Sequence, residues 1–253
     1  MNNMNMLLAA PEFWVLIMAC VILCVDLFLD KERRGIIHML AMLTLVFAAI
    51  ITLRADYSSA DAASAVAFNG TFIRDQMGDM LKLFSFLVLG LVYIYAKFNL
   101  REFRMFRADF YTMSLFALLG VMLLISANSL VMIYLGLELI SLSSYALVAF
   151  DRDSPRGSEA AMKYFVLGSM ASGMLLYGMS MIYGATGTVD LYQVADAVKV
   201  LGSDDLMLIF GLVFLVVGLA FKLGVVPFHM WIPDVYHGAP VAVTLFISSV
   251  PKM

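Results

Sequence analysis

Five ionisable side chains stand inside apolar runs where a charge has no easy explanation: Glu138, Lys163, Lys222, Lys252 and, nearest a span end, Lys82. A charge at mid-bilayer costs about 2.5–3.5 kcal/mol on insertion scales, so such groups pair, titrate or line a hydrated path. Glu138 lies in SLVMIYLGLELISLSSYALVAF, and its side chain is too short to reach the headgroups. Lysine stems can lie along lipid while the ammonium reaches the surface. That reading suits Lys163, and also Lys82, better than Lys222 or Lys252. Desolvation lowers a buried lysine by up to about 3–5 pK units from ~10.4, and a nearby carboxylate restores it. At an effective dielectric of ~20, unit charges ~4 Å apart interact by about 4 kcal/mol. Glutamate and lysines within reach of one another therefore form a coupled titrating set suited to moving protons. His229 and His237 extend the relay or serve as hydrogen-bonded hinge residues.

The hinge is the stretch that positions these groups. The run Leu206 to Val226 carries Lys222 and is broken at Pro227; Pro233 and Pro240 follow, with Asp234 between the two histidines. Proline removes a backbone hydrogen bond and clashes with the preceding turn. At membrane depth such a break persists only against protein or a hydrated cavity, and broken helices are a recurrent way to build ion sites.

The whole composition points to lipid as the solvent. Of 253 residues, 63% are hydrophobic and only 14% are charged, with a mean hydropathy of +0.94. Soluble domains average about 45–50% apolar and about 25% charged. At ~20 apolar residues per crossing the chain holds about eight spans. The expected fold is therefore an all-α polytopic membrane protein with one broken helix. A net charge of -3 gives no footing for nucleic acid. Cys20 and Cys24 read as apolar filler and not as a disulfide or metal site. The first apolar run lacks a basic leader and is long enough to span, so it is not read as a cleaved signal.

The spans are expected at about 7–29, 36–53, 77–95, 110–127, 130–150, 160–183 and 206–226, with an eighth beginning near Ala239. Segment 54–75 reads as a polar surface loop, and 184–205 as an amphipathic interfacial segment. Loops after the first, third and fifth spans hold Lys31, Arg33, Arg34, Lys97, Arg101, Arg104, Arg107, Arg152 and Arg156; the opposite side holds Arg54, Arg74 and Lys199. By the positive-inside rule the first set is cytoplasmic and the N-terminus is outside. Residues 1–108 are expected to form an N-terminal three-helix membrane segment, and 109–253 carries most of the charges set within spans. In the sixth span Gly168, Ser172, Gly173, Gly178 and Gly184 supply small surfaces for helix packing. Trp14 and Trp231 read as packing or interfacial aromatics, and Asp79 with Lys82 as a pair on one helix face. With no glycine fingerprint, P-loop or CxxC cluster in the sequence, the chain is expected to bind no redox cofactor or metal itself.

The runs AFKLGVVPFHMWIPDVYHGAPVAVTLF, YLGLELISLSSYALVAF and SEAAMKYFVLGSMASG resemble the subunit N family of bacterial respiratory NADH–quinone oxidoreductase (complex I), within the antiporter-like subunits shared with cation/proton antiporters. The resemblance implies that Glu138 is the family's fifth-helix glutamate, and Lys163, Lys222 and Lys252 its sixth-helix, broken-helix and eighth-helix lysines. It implies a proton path driven by quinone reduction elsewhere, with NADH, FMN, iron–sulfur clusters and quinone held by other subunits. It implies partners among the membrane-arm subunits, especially neighbouring antiporter-like ones, and a bacterial inner-membrane location with a periplasmic N-terminus. The resemblance implies two inverted five-helix repeats in full-length members, of which this sequence is expected to hold the first and not the second. Two other readings stay open: a subunit of a multi-subunit sodium/proton antiporter, and a non-conducting scaffold, against which the buried charges speak.

Overall fold

The computed structural model describes residues 3–29, 35–54, 64–102, 107–202 and 204–252. In chain order the elements are α1 (Asn3–Leu8), α2 (Ala10–Asp26), α3 (Gly35–Leu53), β1 (Ser64–Ala67), β2 (Phe72–Asp75), α4 (Gln76–Glu102), α5 (Ala108–Ile125), α6 (Leu130–Val148), α7 (Pro155–Thr186), α8 (Leu191–Leu201), α9 (Leu206–Leu223), α10 (Trp231–Gly238) and α11 (Val241–Ser249), with a 3-10 turn at Val250–Lys252. The chain is an all-α polytopic membrane protein apart from one hairpin. Among the described residues six helices, α3 to α7 and α9, are long and apolar enough to cross a membrane. α2 is 17 residues long, and the apolar stretch Val241–Lys252 is shorter.

Polar residues at the ends set the helix boundaries. Ser129 accepts from Met132 N at 3.2 Å to start α6. Ser154 accepts from Gly157 N at 3.1 Å ahead of Pro155, and Asp205 accepts from Leu208 N at 2.9 Å to start α9. Each satisfies an amide that a first turn leaves without a partner. Gly224, with φ 71°, ends α9 in the left-handed conformation, which glycine adopts without steric cost.

α5 is the central column, with 67% of its span buried; it packs on α2, α3, α4 and α6. Two helix pairs approach closely. A Cβ at Gly120 would lie 2.8 Å from the Gly136 carbonyl, joining α5 to α6, and one at Gly178 would lie 2.7 Å from the Gly211 carbonyl, joining α7 to α9. Gly178 thus does what a small residue in a span is expected to do. Gly168 and Ser172 do something else, described below, and nothing lies within 4 Å of a Cβ at Gly173.

The expected surface loop at 54–75 is in part a hairpin. Residues 55–63 lie outside the described set, and the remainder pairs β1 antiparallel to β2, with Ser64 opposite Asp75. Phe68 and Asn69 turn it with positive φ. Asn128 ties the hairpin to the start of α8, donating to Gly70 O at 2.7 Å and Asp190 Oδ2 at 3.3 Å. Of the basic residues used for orientation, Lys31, Arg33, Arg34 and Arg104 lie outside the described residues. Arg74 is no surface charge: it is buried and pairs with Asp79 at 2.9 Å.

Candidate functional site

α6, α7 and α9 converge on the ammonium of Lys222. It donates to Glu138 Oε1 at 3.3 Å, to Ser172 Oγ at 2.9 Å and to the Ser141 hydroxyl. An ammonium carries three N–H donors and no acceptor, so these three partners saturate it. Ser141 itself donates to Leu137 O at 2.7 Å, which leaves its lone pairs for the lysine. Glu138 and Ser141 are three apart on α6, so both point at α9 from one face. The Lys222 and Glu138 side chains are 12% and 21% exposed. Lys222 sits in the last turn of α9, where the carbonyl end of the helix favours a cation.

The break holds that end in place. Trp231 donates from Nε1 to Phe221 O at 3.0 Å, a second partner for a helix-end carbonyl that also accepts from Gly224 N. Its ring stacks on Tyr164 at 4.6 Å and on Phe221 at 5.6 Å. Trp231 is 3% exposed, a packing aromatic with a polar task.

Lys163 belongs to a separate cluster. It pairs with Glu159 at 2.9 Å and with Asp234 at 3.0 Å, and is 44% exposed. It precedes Ser172 by nine residues, roughly 13 Å along the helix and half a turn out of phase. Lys163 and Lys222 therefore face opposite sides of α7. Arg156, Glu159, Lys163, Asp234 and His237 line a cavity of about 210 Å³. His237 and His229 are both exposed, the latter within the break. Lys252 is exposed in the final turn, with its ammonium 5.5 Å from the ring centre of Tyr236. The structure thus joins Glu138 to Lys222 directly and leaves Lys163, Lys252 and the histidines at some remove.

Lys82 corrects a sequence expectation. It does not reach the surface: it is 0% exposed, with its ammonium 2.7 Å from Glu12 Oε1 and 3.9 Å from Asp79 Oδ1. Asp79 also accepts from Arg74, whose guanidinium donates to Leu8 O and Thr52 O at 3.3 Å each. Glu12, Arg74, Asp79 and Lys82 form one buried network joining α1, α2, α3, β2 and α4. Ser141, Ser172 and Asp234 were not picked out as lysine partners by sequence reasoning. The three-residue step from Glu138 to Ser141 was the one signal available for any of them. Among the described residues no three His, Cys, Asp or Glu side chains are grouped to hold a metal ion.

Residues 127–253 match a family model described as NADH:quinone oxidoreductase/Mrp antiporter, TM. NADH-quinone oxidoreductase subunit N of Thioalkalivibrio sulfidiphilus is 51% identical over 244 residues, covering 96% of this chain and 50% of that protein. The subunit N of Methylovorus glucosotrophus is 50% identical, covering 97% and 50%. A chain of respiratory complex I from Thermus thermophilus superposes with a TM-score of 0.76 at 29% identity, over 96% of this chain and 50% of that one. A chain of the Mrp complex from Dietzia shares the fold, with a TM-score of 0.78 at 21% identity over 97% and 46%. The chain spans about half the length of the curated relatives it matches. With the family model matched over half of its residues and the helical membrane fold in place, the chain belongs to the NADH:quinone oxidoreductase/Mrp antiporter transmembrane family.

Proposed function

We propose that this chain is part of a proton-translocating membrane-arm subunit of NADH:quinone oxidoreductase, with Lys222 and Glu138 as its central proton-transfer pair. The observation that carries the reading is the Lys222 ammonium held by Glu138, Ser141 and Ser172 at the end of a broken helix. A proton leaves an ammonium more readily once its carboxylate moves away. At ~3.3 Å and an effective dielectric of ~20 the pair interacts by about 5 kcal/mol, and the interaction falls to about 1.7 kcal/mol at ~10 Å. A displacement of Glu138 by a few ångströms therefore decides whether Lys222 keeps its proton. The serine hydroxyls rotate, so they serve the charged lysine as acceptors and the neutral amine as donors. Lys163 with Glu159, Asp234 and His237 forms the rim at which protons are taken up, and Lys252 continues the path.

In this reading residues 109–253 form the channel unit and 1–108 its supporting segment. The chain lies in a bacterial inner membrane with its N-terminus on the periplasmic side, beside other antiporter-like subunits. NADH, FMN, iron–sulfur clusters and quinone are bound elsewhere in the assembly, whose electron transfer supplies the driving force. The test is Lys222→Ala in the chromosomal gene, with proton uptake and NADH-driven quinone reduction measured in membranes that contain the assembled complex. Loss of coupled pumping supports the reading. Unchanged pumping and turnover would sink it, and sodium/proton exchange without quinone-linked activity would transfer the chain to the antiporter branch of its family.

A further inference from the structure

A line of hydroxyls runs from the Lys222 pocket toward Lys252. On α6, Glu138, Ser141 and Tyr145 fall three and four residues apart, which keeps them on one face. On the facing side of α7, Tyr164, Gly168 and Ser172 repeat at four-residue spacing. The Tyr145 hydroxyl lies against Gly168, in the space that a Cβ there would fill, and neighbours the hydroxyls of Ser141 and Ser172. Gly168 therefore makes room for this hydroxyl, not for a helix backbone.

Beyond Tyr145 the line continues through Tyr164. Tyr145 meets Tyr164 edge to face with centroids 4.6 Å apart. The Tyr164 hydroxyl neighbours Ser144, and α10, which carries Tyr236, packs against α7. Tyr145 and Tyr164 are 7% and 8% exposed. The Tyr236 hydroxyl is buried with no hydrogen-bond partner among the described residues. Over the Tyr236 ring sits the Lys252 ammonium, 5.5 Å from its centre, on a flexible four-carbon stem.

We propose that Tyr145, Tyr164 and Tyr236 are the proton-carrying residues between Lys222 and Lys252, a role that rests on the proposed function of the Lys222 site. A phenol both donates and accepts, so each hydroxyl can take a proton on one side and give one up on the other. The transfer balances as follows. A neutral Lys252 amine takes the Tyr236 proton and becomes an ammonium. Tyr236 is refilled from Tyr164, and Tyr164 from Tyr145. Tyr145 is refilled through Ser141 or Ser172 by the Lys222 ammonium, which ends as a neutral amine. Each hydroxyl finishes as it began, one proton has moved between the lysines, and no oxidant or reductant is consumed.

Tyrosine-to-phenylalanine variants test this, because they remove the hydroxyl and keep the ring contacts. Tyr145→Phe, Tyr164→Phe and Tyr236→Phe are made in the chromosomal gene beside Lys222→Ala, and proton uptake is measured in membranes with matched amounts of assembled complex. Each phenylalanine variant is expected to slow proton uptake about tenfold. That is less than the hundredfold a positioned proton-transfer group commonly supplies, because Ser141, Ser144 and Ser172 remain. The solvent deuterium isotope effect should rise in the same variants, which a purely structural role would not produce. Tyr236→Phe guards against misfolding, since its hydroxyl has no partner to lose. If Lys222→Ala abolishes pumping and all three phenylalanine variants pump normally with an unchanged isotope effect, the tyrosine route is overturned and the Lys222 site stands. If Lys222→Ala pumps normally, both fall together.

Discussion

Among the described residues two lysine–glutamate pairs, one buried and one half-buried, are built differently. Lys82 lies 2.7 Å from Glu12 with no exposure at all, and its surroundings are a second carboxylate, Asp79, and the Phe72 ring at 5.4 Å. Lys222 lies 3.3 Å from Glu138, keeps 12% exposure and is bound by two rotatable hydroxyls. The first network is locked by Arg74 onto the backbones of Leu8 and Thr52, so none of its charges moves without disturbing three helix ends. The second has partners that serve lysine in either protonation state. On the proposed function, the hydrogen-bonding capacity of the neighbours is what separates the proton site from the structural pair.

The comparison breaks most visibly at the sealed pair. Lys82→Met leaves Glu12 and Asp79 with one cation too few in a buried site, and removing one partner of a buried pair costs about 3–5 kcal/mol. The expected outcome is a severe loss of folded protein in membranes, measured by immunoblot and by thermal aggregation in detergent. Lys82→Met with Glu12→Leu should recover most of it, because replacing both partners by apolar groups is often neutral. If Lys82→Met accumulates normally and instead uncouples proton uptake, the two pairs are alike and the distinction fails.

At the second pair the ranking of function and stability reverses. Glu138→Gln keeps an acceptor for Lys222 and removes the charge whose motion, on the proposed function, drives release. Coupled proton uptake should fall by about a hundredfold or more, the usual contribution of a proton-transfer group, while the protein assembles in normal amount. Severe loss of folded protein with residual pumping intact would make Glu138 a structural partner like Glu12.

The sequence displays some of this and hides the rest for identifiable reasons. Spans are legible because lipid demands long apolar runs with satisfied backbones, and Glu138 and Lys222 are conspicuous as charges within them. Glu12 and Lys82 are not legible as a pair because 70 residues separate them, and each sits near a span end where a surface position looks ordinary. Ser141 is hidden for another reason: a serine in a helix commonly bonds the carbonyl four residues back, as Ser141 does to Leu137, so its spare lone pairs are invisible until α9 is in place. The hairpin escaped because Ser64–Ala67 lacks the alternation that marks a strand. Gly168 looked like a packing glycine, and only the position of the Tyr145 hydroxyl gives it a different role.

Smaller changes sharpen the contrast within the Lys222 pocket. Ser172→Ala removes one of three acceptors from the ammonium, and a hydrogen bond to a charged group contributes about 1.5–3 kcal/mol. The expected result is a modest drop in thermal stability with proton uptake slowed less than in Glu138→Gln. Ser172→Thr, which keeps the hydroxyl, should restore much of the rate. An equal loss in both variants would assign the effect to crowding between α7 and α9 and not to the hydroxyl.

The smallest expected effect on stability is at the rim. Lys163 is 44% exposed and its partners Glu159 and Asp234 are 67% and 52% exposed, so water screens both pairs and their contribution to folding is slight. Asp234→Asn should leave the thermal midpoint unchanged, in contrast to any change at Lys82. Its effect belongs to kinetics: with one acidic group fewer around Lys163 and His237, proton uptake should slow most at low proton concentration and recover as pH is lowered. Proton uptake measured across a pH series in the variant and its parent decides this. A stability loss in Asp234→Asn comparable to that of Lys82→Met would make the rim a clamp on α10, holding the break by charge as Trp231 holds it by stacking.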